Sequence, residues 1–436
     1  MSEPRVHIYI QCSHEPEVPG RGAGSGRVCD DPDVSDLVLR NARTTSGPRD
    51  VEITGDRIAD VVAAGAGSGT TVEDLGGMLL LPAFAEPHTH LDKAFTADLL
   101  PNPVGDLLGA VEAMRVGWPS ISVEDIVVRA TEVVRRMVAS GATAVRTHAD
   151  VTPEGGLKSV EALIETRRRV GHLCDLEIVA MARPVTGLEA DDVRLGLDRA
   201  LEMGADLVGG VPHLEQDPHD AMRHALHVAL AAGTRVDLHM DEVWDGSVDN
   251  LTELARLVEH HGLEGRVTAS HCVAHGAMGR ERQAAVASLL ADAGIDVVTL
   301  PRTNLYLQGR DGEDPVPRGL PGLAALREQG VLVAAGGDNV QDPFYPVGRA
   351  DPLEVASFLV AAAHFGPEEA VAAIGRDVRT LMDREAVSIE AGSPAELVAL
   401  AAGSIREAVA DQPARRVVVH EGRIVARSRV ESWIAP

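Results

Sequence analysis

Short apolar runs alternate with longer segments of helical periodicity through most of the chain, from about residue 79 to residue 335. Short runs rich in β-branched residues predict buried strands, and strands that alternate with helical segments are typical of parallel βα units. Eight such runs predict a (β/α)8 TIM barrel, an α/β fold. They start with the run from Leu79, followed by 142–148, 176–181, 206–211, 235–239, 267–271, 295–300 and 331–335. The clearest helical patterns between them are 123–139, 221–232 and 251–261.

The two ends of the chain have a different pattern, in which short β-rich runs are separated by turn residues. These runs lie at residues 37–39, 51–54, 58–62, 396–400, 416–419 and 423–426. We therefore predict that residues 36–80 and 386–436 combine into a small β-sandwich domain, with the barrel between them at 81–385. Residues 1–35 are rich in glycine and lack apolar periodicity, so a flexible extension is expected there.

The composition is that of an acidic globular protein. The chain has 436 residues, of which 45% are hydrophobic, and a net charge of −26. That charge repels nucleic-acid phosphates and anionic membranes, so neither is an expected partner. The sequence shows no long apolar stretch and no signal-peptide pattern, which favours a cytoplasmic location. Its four cysteines form no C-x-x-C pair, and this disfavours a structural zinc site.

Polar residues recur where the predicted strands end, which is where a TIM barrel places its chemistry. His88 and His90 are two residues apart in a strand, so their side chains point to the same face. His148 ends the second predicted strand, and a second group follows strands five, six and eight: His239, Glu242, His271 and Asp338. A single barrel histidine is usually a hydrogen-bonded core residue. Several imidazoles and carboxylates at one barrel end instead match the ligands of a hydrolytic divalent metal.

Five ordered motifs carry a family resemblance: Pro87–Lys93, Val145–Val151, His239–Glu242, Val267–His271 and Gly337–Pro346. From about Asp36 to its C-terminus, the chain resembles the amidohydrolase superfamily and, within it, the cytosine deaminase-like branch. The resemblance implies a metal-dependent hydrolytic deaminase. Such an enzyme removes an amino or alkylamino group from an N-heterocycle, such as a pyrimidine, triazine or pterin, with a metal-bound hydroxide as nucleophile.

The same resemblance implies a role for each matched residue. One divalent ion, zinc, iron or manganese, is expected on His88, His90, His239 and Asp338. His271 is expected to contact the metal-bound hydroxide or the tetrahedral intermediate, and Glu242 to carry a proton to the substrate ring. Asp338 is further expected to take a proton from the water and pass it to the departing ammonia.

Lysine positions bear on the number of metal ions. Some superfamily members hold two ions bridged by a carboxylated lysine at the end of strand four. This chain has two lysines, Lys93 and Lys158, and neither falls there. A site for one metal ion is therefore predicted.

Some residues differ from their counterparts in cytosine deaminase, and these differences bear on which substrate is recognised. A glutamine that reads the pyrimidine in that enzyme is replaced here by Val185, and Asn339 follows the metal aspartate in place of a second aspartate. Lys93 and Asn339 instead resemble N-isopropylammelide isopropylaminohydrolase, a triazine-ring relative that lacks the counterpart of Glu242. We expect Lys93, Asn339, Val185 and His148 to contact the substrate.

Three functions stay open on the sequence: a heterocycle deaminase, a cyclic amide hydrolase of the hydantoinase or dihydroorotase kind, and a non-catalytic metal-binding barrel. The missing lysine on strand four counts against the second. The complete ligand set, together with His271 and Glu242, counts against the third. A small N-heterocycle is the expected partner, and a homo-oligomer stays open.

Overall fold

The computed structural model describes residues 35–310, 316–430 and 433–434. Except for residue 35, the predicted N-terminal extension lies outside the described residues. The chain divides into two compact units. The first runs up to Ala83 and resumes at Ala386, and the second spans Phe84–Glu385.

The strands of the described residues belong to two sheets. In chain order they are β1 (Ser35–Thr44), β2 (Gly47–Thr54), β3 (Arg57–Ala63), β4 (Gly69–Asp74), β5 (Leu79–Pro82), β6 (Phe84–Thr89), β7 (Ala142–Val151), β8 (Asp175–Ala182), β9 (Leu207–Gly210), β10 (Arg235–Met240), β11 (Val267–His271), β12 (Ile295–Thr299), β13 (Val333–Ala335), β14 (Leu397–Leu400), β15 (Arg416–His420) and β16 (Arg423–Arg427).

The described helices begin and end as follows: α1 (Leu107–Gly117), α2 (Val123–Ala139), α3 (Lys158–Val170), α4 (Ala190–Met203), α5 (Pro218–Ala232), α6 (Asn250–His261), α7 (Val273–Ala277), α8 (Arg280–Asp292), α9 (Pro301–Leu307), α10 (Leu323–Glu328), α11 (Pro352–Ala363), α12 (Pro367–Ala373), α13 (Arg376–Leu381) and α14 (Ile405–Asp411). Not one of these is both long and apolar enough to cross a membrane.

The second unit contains a parallel barrel. Strands β6 to β13 pair in chain order, each parallel to the next. At the seam, Thr89 of β6 forms a parallel bridge with Asp338 just after β13, and the Thr89 hydroxyl donates to the Asp338 carbonyl oxygen at 2.8 Å. The predicted TIM barrel is confirmed, and its seam lies beside the predicted metal ligands.

Local sequence explains how the barrel elements form. In α2, Ser122 caps the N-terminus by accepting from the Asp125 amide, and apolar residues at helical spacing are buried on one face. Every residue of β7 is buried, as expected for a strand covered on both faces. In β9, a Cβ atom at Gly209 would lie 2.6 Å from Val179 Cγ1, so only glycine fits there.

The first unit is built around a sheet from both chain ends. Its strand order is β16-β15-β14-β5-β1-β2-β3, and β4 pairs with β1. The inner face buries an apolar cluster that includes Leu39, Ile53, Leu397 and Val419. The prediction that the two ends share one small β structure is confirmed. Its strands are joined in a single hydrogen-bonded sheet that branches at β1.

The apolar run from Leu79, predicted as one strand, is two strands separated at Ala83. Leu79–Pro82 pairs antiparallel with β14, whereas Phe84–Thr89 pairs parallel with β7. The amide of Ala83 donates to the Glu396 carbonyl, and the next amide donates to Gly141. Hydrophobicity is continuous through this change of sheet, so the sequence pattern does not reveal it.

Candidate active site

Four donor atoms converge at the carboxyl end of the barrel. The Nε2 atom of His239 lies 3.2 Å from Nε2 of His88 and 3.1 Å from Nε2 of His90. Asp338 Oδ1 lies 3.7 and 3.4 Å from the same two nitrogens. A tetrahedral ion with bonds of roughly 2.0–2.1 Å sets its donors about 3.4 Å apart, which is close to these distances. Among the described residues, the ligand atoms of His88, His90 and Asp338 lie close enough to one another to hold a metal ion.

The electrostatics of this cluster also suit a cation. Burial, and after it the neighbouring positive groups, lower the pKa of His88, His90 and His239 well below its usual value, so each imidazole keeps a lone pair. Burial raises the pKa of Asp338 to about 7. Its two carboxylate oxygens accept no hydrogen bond from any residue that the structure describes. Buried polar atoms normally have partners, and a metal ion would supply the missing one.

Residues behind the cluster orient His88. Its Nδ1 lies 2.9 Å from the Ser270 hydroxyl oxygen, the Ser270 hydroxyl donates to Asp237 Oδ1 at 2.8 Å, and Arg146 Nη1 donates to Asp237 Oδ2 at 2.9 Å. Because the Ser270 proton is committed to Asp237, His88 Nδ1 is the donor in the first bond. The His88 Nε2 lone pair then faces the other ligands. A hydrogen bond at one ring nitrogen commonly orients the other nitrogen of a metal-binding histidine in this way.

His148 lies in this supporting layer. Its ring centroid is 3.9 Å from that of His88, and its Nε2 is 3.5 Å from Asp237 Oδ1. The side chain is fully buried and is not part of the cleft lining. The sequence-based prediction of a substrate contact at His148 therefore does not agree with its position, because the His88 ring lies against it.

Left-handed backbone at the strand ends helps to place the site residues. Asp241, His271 and Asp338 have φ angles of 48°, 69° and 60°. Positive φ is uncommon for residues other than glycine and often occurs at functional sites. Each of these residues lies at or just after the end of a barrel strand, where the chain turns out of the sheet.

Glu242 and His271 lie next to the cluster of histidines and Asp338. Glu242 Oε1 accepts from Asn304 Nδ2 at 2.8 Å and is 3.2 Å from His271 Nδ1. Burial lowers the pKa of His271, but the carboxylate of Glu242 raises it, and the net direction is upward. The other ring nitrogen of His271, Nε2, has no hydrogen-bond partner among the described residues. It is the atom left to meet a substrate or a water.

These groups open into a cleft whose lining includes all three predicted catalytic residues and three of the four predicted ligands, with Asp338 belonging to both sets. Glu242, His271, His90, His239 and Asp338 all line it. Apolar walls are formed by Leu107, Val111, Met181, Val211, Leu214 and Phe344. The lining combines these six apolar side chains with nine polar or charged ones, so polar contacts can orient a small organic ligand in the cleft.

Lys93 and Asn339 also line the cleft, but each has partners within the protein. Lys93 Nζ donates to Asp150 Oδ1 at 2.6 Å and lies 3.4 Å from Asp92 Oδ1. Asn339 Nδ2 donates to Asp342 Oδ2 at 2.8 Å. The charge of Lys93 is therefore balanced by two carboxylates. Both ends of the Asn339 amide have partners, because its Oδ1 accepts from the Thr303 hydroxyl at 3.4 Å.

Val185 is a second predicted substrate contact that does not line the cleft. It is buried outside the cleft lining, where its amide donates to Glu215 at 2.9 Å, and Arg183 lines the cleft instead. Sequence reasoning also missed Asn304, which follows strand β12. The available signal was the one used elsewhere, a polar residue just beyond a barrel strand.

A parallel barrel with histidine and aspartate donors grouped at its carboxyl end is the arrangement expected of a metal-dependent hydrolase. The chain belongs to the amidohydrolase family, whose family model matches residues 122–426.

Particular relatives cover most of the chain. A pterin deaminase from Rhizobium rhizogenes is 31% identical over 388 residues, which span 87% of this chain and 88% of that protein. An N-isopropylammelide isopropyl amidohydrolase from Pseudomonas sp. (strain ADP) is 27% identical over 409 residues, 91% of this chain and 98% of that protein. Among solved structures, a 5-methylcytosine deaminase from Klebsiella pneumoniae liganded with 5-fluorocytosine has a TM-score of 0.83 and 29% identity. The match covers 92% of this chain and 99% of that one.

Proposed function

We propose that the protein is a hydrolytic deaminase that removes an amino or alkylamino group from a nitrogen heterocycle. The observation that carries the proposal is the acid–base pair of Glu242 and His271 beside the four-donor cluster, in a cleft with apolar walls. Names of the similar proteins refer to pterin, 5-methylcytosine and N-isopropylammelide, all of which contain nitrogen rings. The reaction consumes water and releases the ring carbonyl compound and ammonia or an amine.

The metal ligands in this proposal are His88, His90, His239 and Asp338. A divalent ion bound there, zinc, iron or manganese, lowers the pKa of a water ligand towards ~7 and so supplies the nucleophile. We infer one ion per chain because neither lysine lies on β9. Lys158, in α3, donates to the Trp118 and Ile121 carbonyls, and Lys93 is held by Asp150.

The protein's own groups would then move the protons. Glu242, held by the Asn304 amide at 2.8 Å, takes one proton of the attacking water and delivers it to the ring nitrogen next to the attacked carbon. Burial lowers the pKa of His271 and the Glu242 carboxylate at its Nδ1 raises it, with a net rise that favours the protonated ring. In that form Nε2 donates to the oxygen that develops on the attacked carbon. Asp338, whose oxygens accept no hydrogen bond from a described residue, takes the second proton of the water and transfers it to the leaving nitrogen.

Substrate recognition in this proposal involves apolar walls that contact the two faces of a ring. Lys93 and Asn339 line the same cleft and present donor atoms near the metal cluster. Because both are held by buried carboxylates, they offer fixed positions and lose little side-chain entropy on binding. Val185 and His148 act indirectly, by supporting a loop and a ligand.

The alternative functions predict different products from one experiment. Metal-loaded protein is incubated with amino-substituted pyrimidines, triazines and pterins and, separately, with cyclic amides, and ammonia and ring-opened acids are measured. We expect ammonia or amine from at least one amino-heterocycle, and none from Glu242→Gln at the same protein concentration. Ring-opened acid without ammonia would support a cyclic amide hydrolase. No turnover by protein that holds the metal would support a non-catalytic barrel.

A further inference from the structure

Arg183 and Lys93 both line the cleft, but they differ in whether a carboxylate pairs with them. Lys93 is 2% exposed and paired with Asp150 and Asp92. Arg183 is half-buried in the cleft lining, and no side chain or carbonyl of the described residues forms a hydrogen bond or ion pair with its guanidinium. The cleft therefore contains one compensated positive charge and one that is left for a ligand.

The loop that carries Arg183 is held in place from the far side. The Glu215 carboxylate accepts from the amides of Val185 and Thr186 at 2.9 and 3.0 Å, and from the Thr186 hydroxyl at 2.7 Å. Arg194 Nε donates to the Val185 carbonyl at 2.7 Å. The segment immediately after Arg183 therefore has a fixed conformation, and a group on a fixed loop is better prepared to bind than one on a mobile loop.

The surroundings of Arg183 favour an anion as its ligand. Apolar side chains of Met181, Val211 and Leu214 line the same cleft, and they reduce the water available to the guanidinium. Lys93 and Arg183, which follow β6 and β8, both line the cleft. Glu242 follows β10 and His271 ends β11, so the two cations and the pair of Glu242 and His271 come from different strands.

We propose that Arg183 is a specificity-determining residue that binds a carboxylate substituent of the substrate ring. The preferred substrates are then amino-heterocycles that carry a ring carboxylate, an inference that rests on the proposed deaminase function. A guanidinium stays charged at all working pH values and can donate two parallel hydrogen bonds to a carboxylate. The side chain would fix the ring with its amino-bearing carbon towards the metal cluster.

The test uses matched ring pairs that differ in one group. Pterin-6-carboxylate and pterin-6-carboxamide form one pair, and cytosine-5-carboxylate and cytosine-5-carboxamide form another. For metal-loaded wild type we expect the carboxylate of at least one pair to be favoured about ten- to a hundred-fold, both in kcat/KM and in equilibrium binding measured by calorimetry. Arg183→Gln should reduce that preference to less than about three-fold, and Arg183→Lys should restore part of it.

Arg199→Gln is the matched control, because Arg199 is an exposed arginine of α4 and its substitution changes the net charge equally. It should keep the full preference for the carboxylate. The inference would be overturned if wild type showed equal kcat/KM and equal binding for both members of every pair. It would also be overturned if Arg183→Gln kept the wild-type preference. Turnover of neutral rings without any carboxylate preference would leave the deaminase proposal standing and reject only the role of Arg183. A preference for binding the carboxylate without any ammonia release would support the role of Arg183 and reject the deaminase proposal.

Discussion

Lys93 and Asp150 form an ion pair in which Nζ and Oδ1 are 2.6 Å apart and both side chains are almost fully buried. The two residues come from the ends of neighbouring strands, β6 and β7, and the pair lies directly beside the metal cluster, since Lys93 Nζ is also 3.3 Å from His90 Nδ1. The lysine therefore has a structural role in addition to any contact with substrate.

Lys93→Met should lower the free energy of unfolding by about 3–5 kcal/mol, because it leaves the buried carboxylates of Asp150 and Asp92 without a counter-ion. Urea unfolding of metal-loaded protein measures the change. Lys158→Met is the matched control and should cost only about 1 kcal/mol, since it removes hydrogen bonds to two carbonyls. Equal costs for the two variants would contradict this account of the pair. Adding Asp150→Asn to Lys93→Met should recover part of the loss.

Glu242→Gln should keep the metal and the fold but lower turnover by roughly 10²–10⁴, the range expected when a positioned proton carrier is lost. The amide keeps the shape of the carboxylate but cannot shuttle a proton. Steady-state rates with the best amino-heterocycle, together with metal analysis, measure the effect. Glu281→Gln, an exposed substitution on α8, serves as the control. Near-normal turnover by Glu242→Gln would show that the carboxylate takes no part in the chemistry.

Asn339→Asp should destabilise the protein more than Asn339→Ala. The Asn339 amide donates to Asp342 Oδ2 at 2.8 Å, and an aspartate would place a second carboxylate at that distance. Loss of the hydrogen bond alone costs about 1–3 kcal/mol, and repulsion between buried like charges adds to it. Thermal unfolding of both variants at pH 8 provides the comparison. If Asn339→Asp proves as stable as wild type, the repulsion that we infer is absent.

Asp296, on β12, should make stability depend on pH. Burial raises the pKa of its carboxyl from the usual 3.8 to about 6, and the charge of Arg146 opposes this rise only in part. The folded protein therefore holds the proton more tightly than the unfolded chain, and stability falls as pH rises from about 4 to about 6.

Asp296→Asn removes that ionisation, so it should stabilise the protein by up to about 3 kcal/mol at pH 7.5. The advantage should shrink by about 1–1.5 kcal/mol at pH 5, where the wild-type carboxyl is mostly protonated in the folded state. Chemical unfolding of both proteins at the two pH values gives the difference. A stabilisation that does not change with pH would rule out the carboxyl of Asp296 as its source.

Features set by local periodicity could be predicted from the sequence. The eight barrel strands follow from short apolar runs, and the pairing of His88 with His90 follows from the two-residue repeat of a strand. Because parallel strands end at the same edge, the order of strands along the chain was enough to place His239, His271 and Asp338 near that pair.

Features set by distant partners could not be predicted. Whether Arg183 or Val185 enters the cleft depends on a loop that Glu215 holds, 30 residues further along the chain. The role of Asn304 depends on its distance from Glu242, which the sequence does not contain. The change of sheet at Ala83 leaves no mark in an apolar run, because both strands it joins are buried.

The central claim is that one divalent ion on His88, His90, His239 and Asp338 enables hydrolytic deamination of an amino-heterocycle. The most direct measurement is ammonia release by metal-stripped protein that is titrated with zinc, iron or manganese. We predict that activity rises in proportion to added metal and reaches a plateau at about one ion per chain, and that His239→Ala neither binds the ion nor releases ammonia. His260→Ala, which removes an exposed histidine of α6, should behave as wild type. A plateau at two ions, or full activity in His239→Ala, would contradict the account.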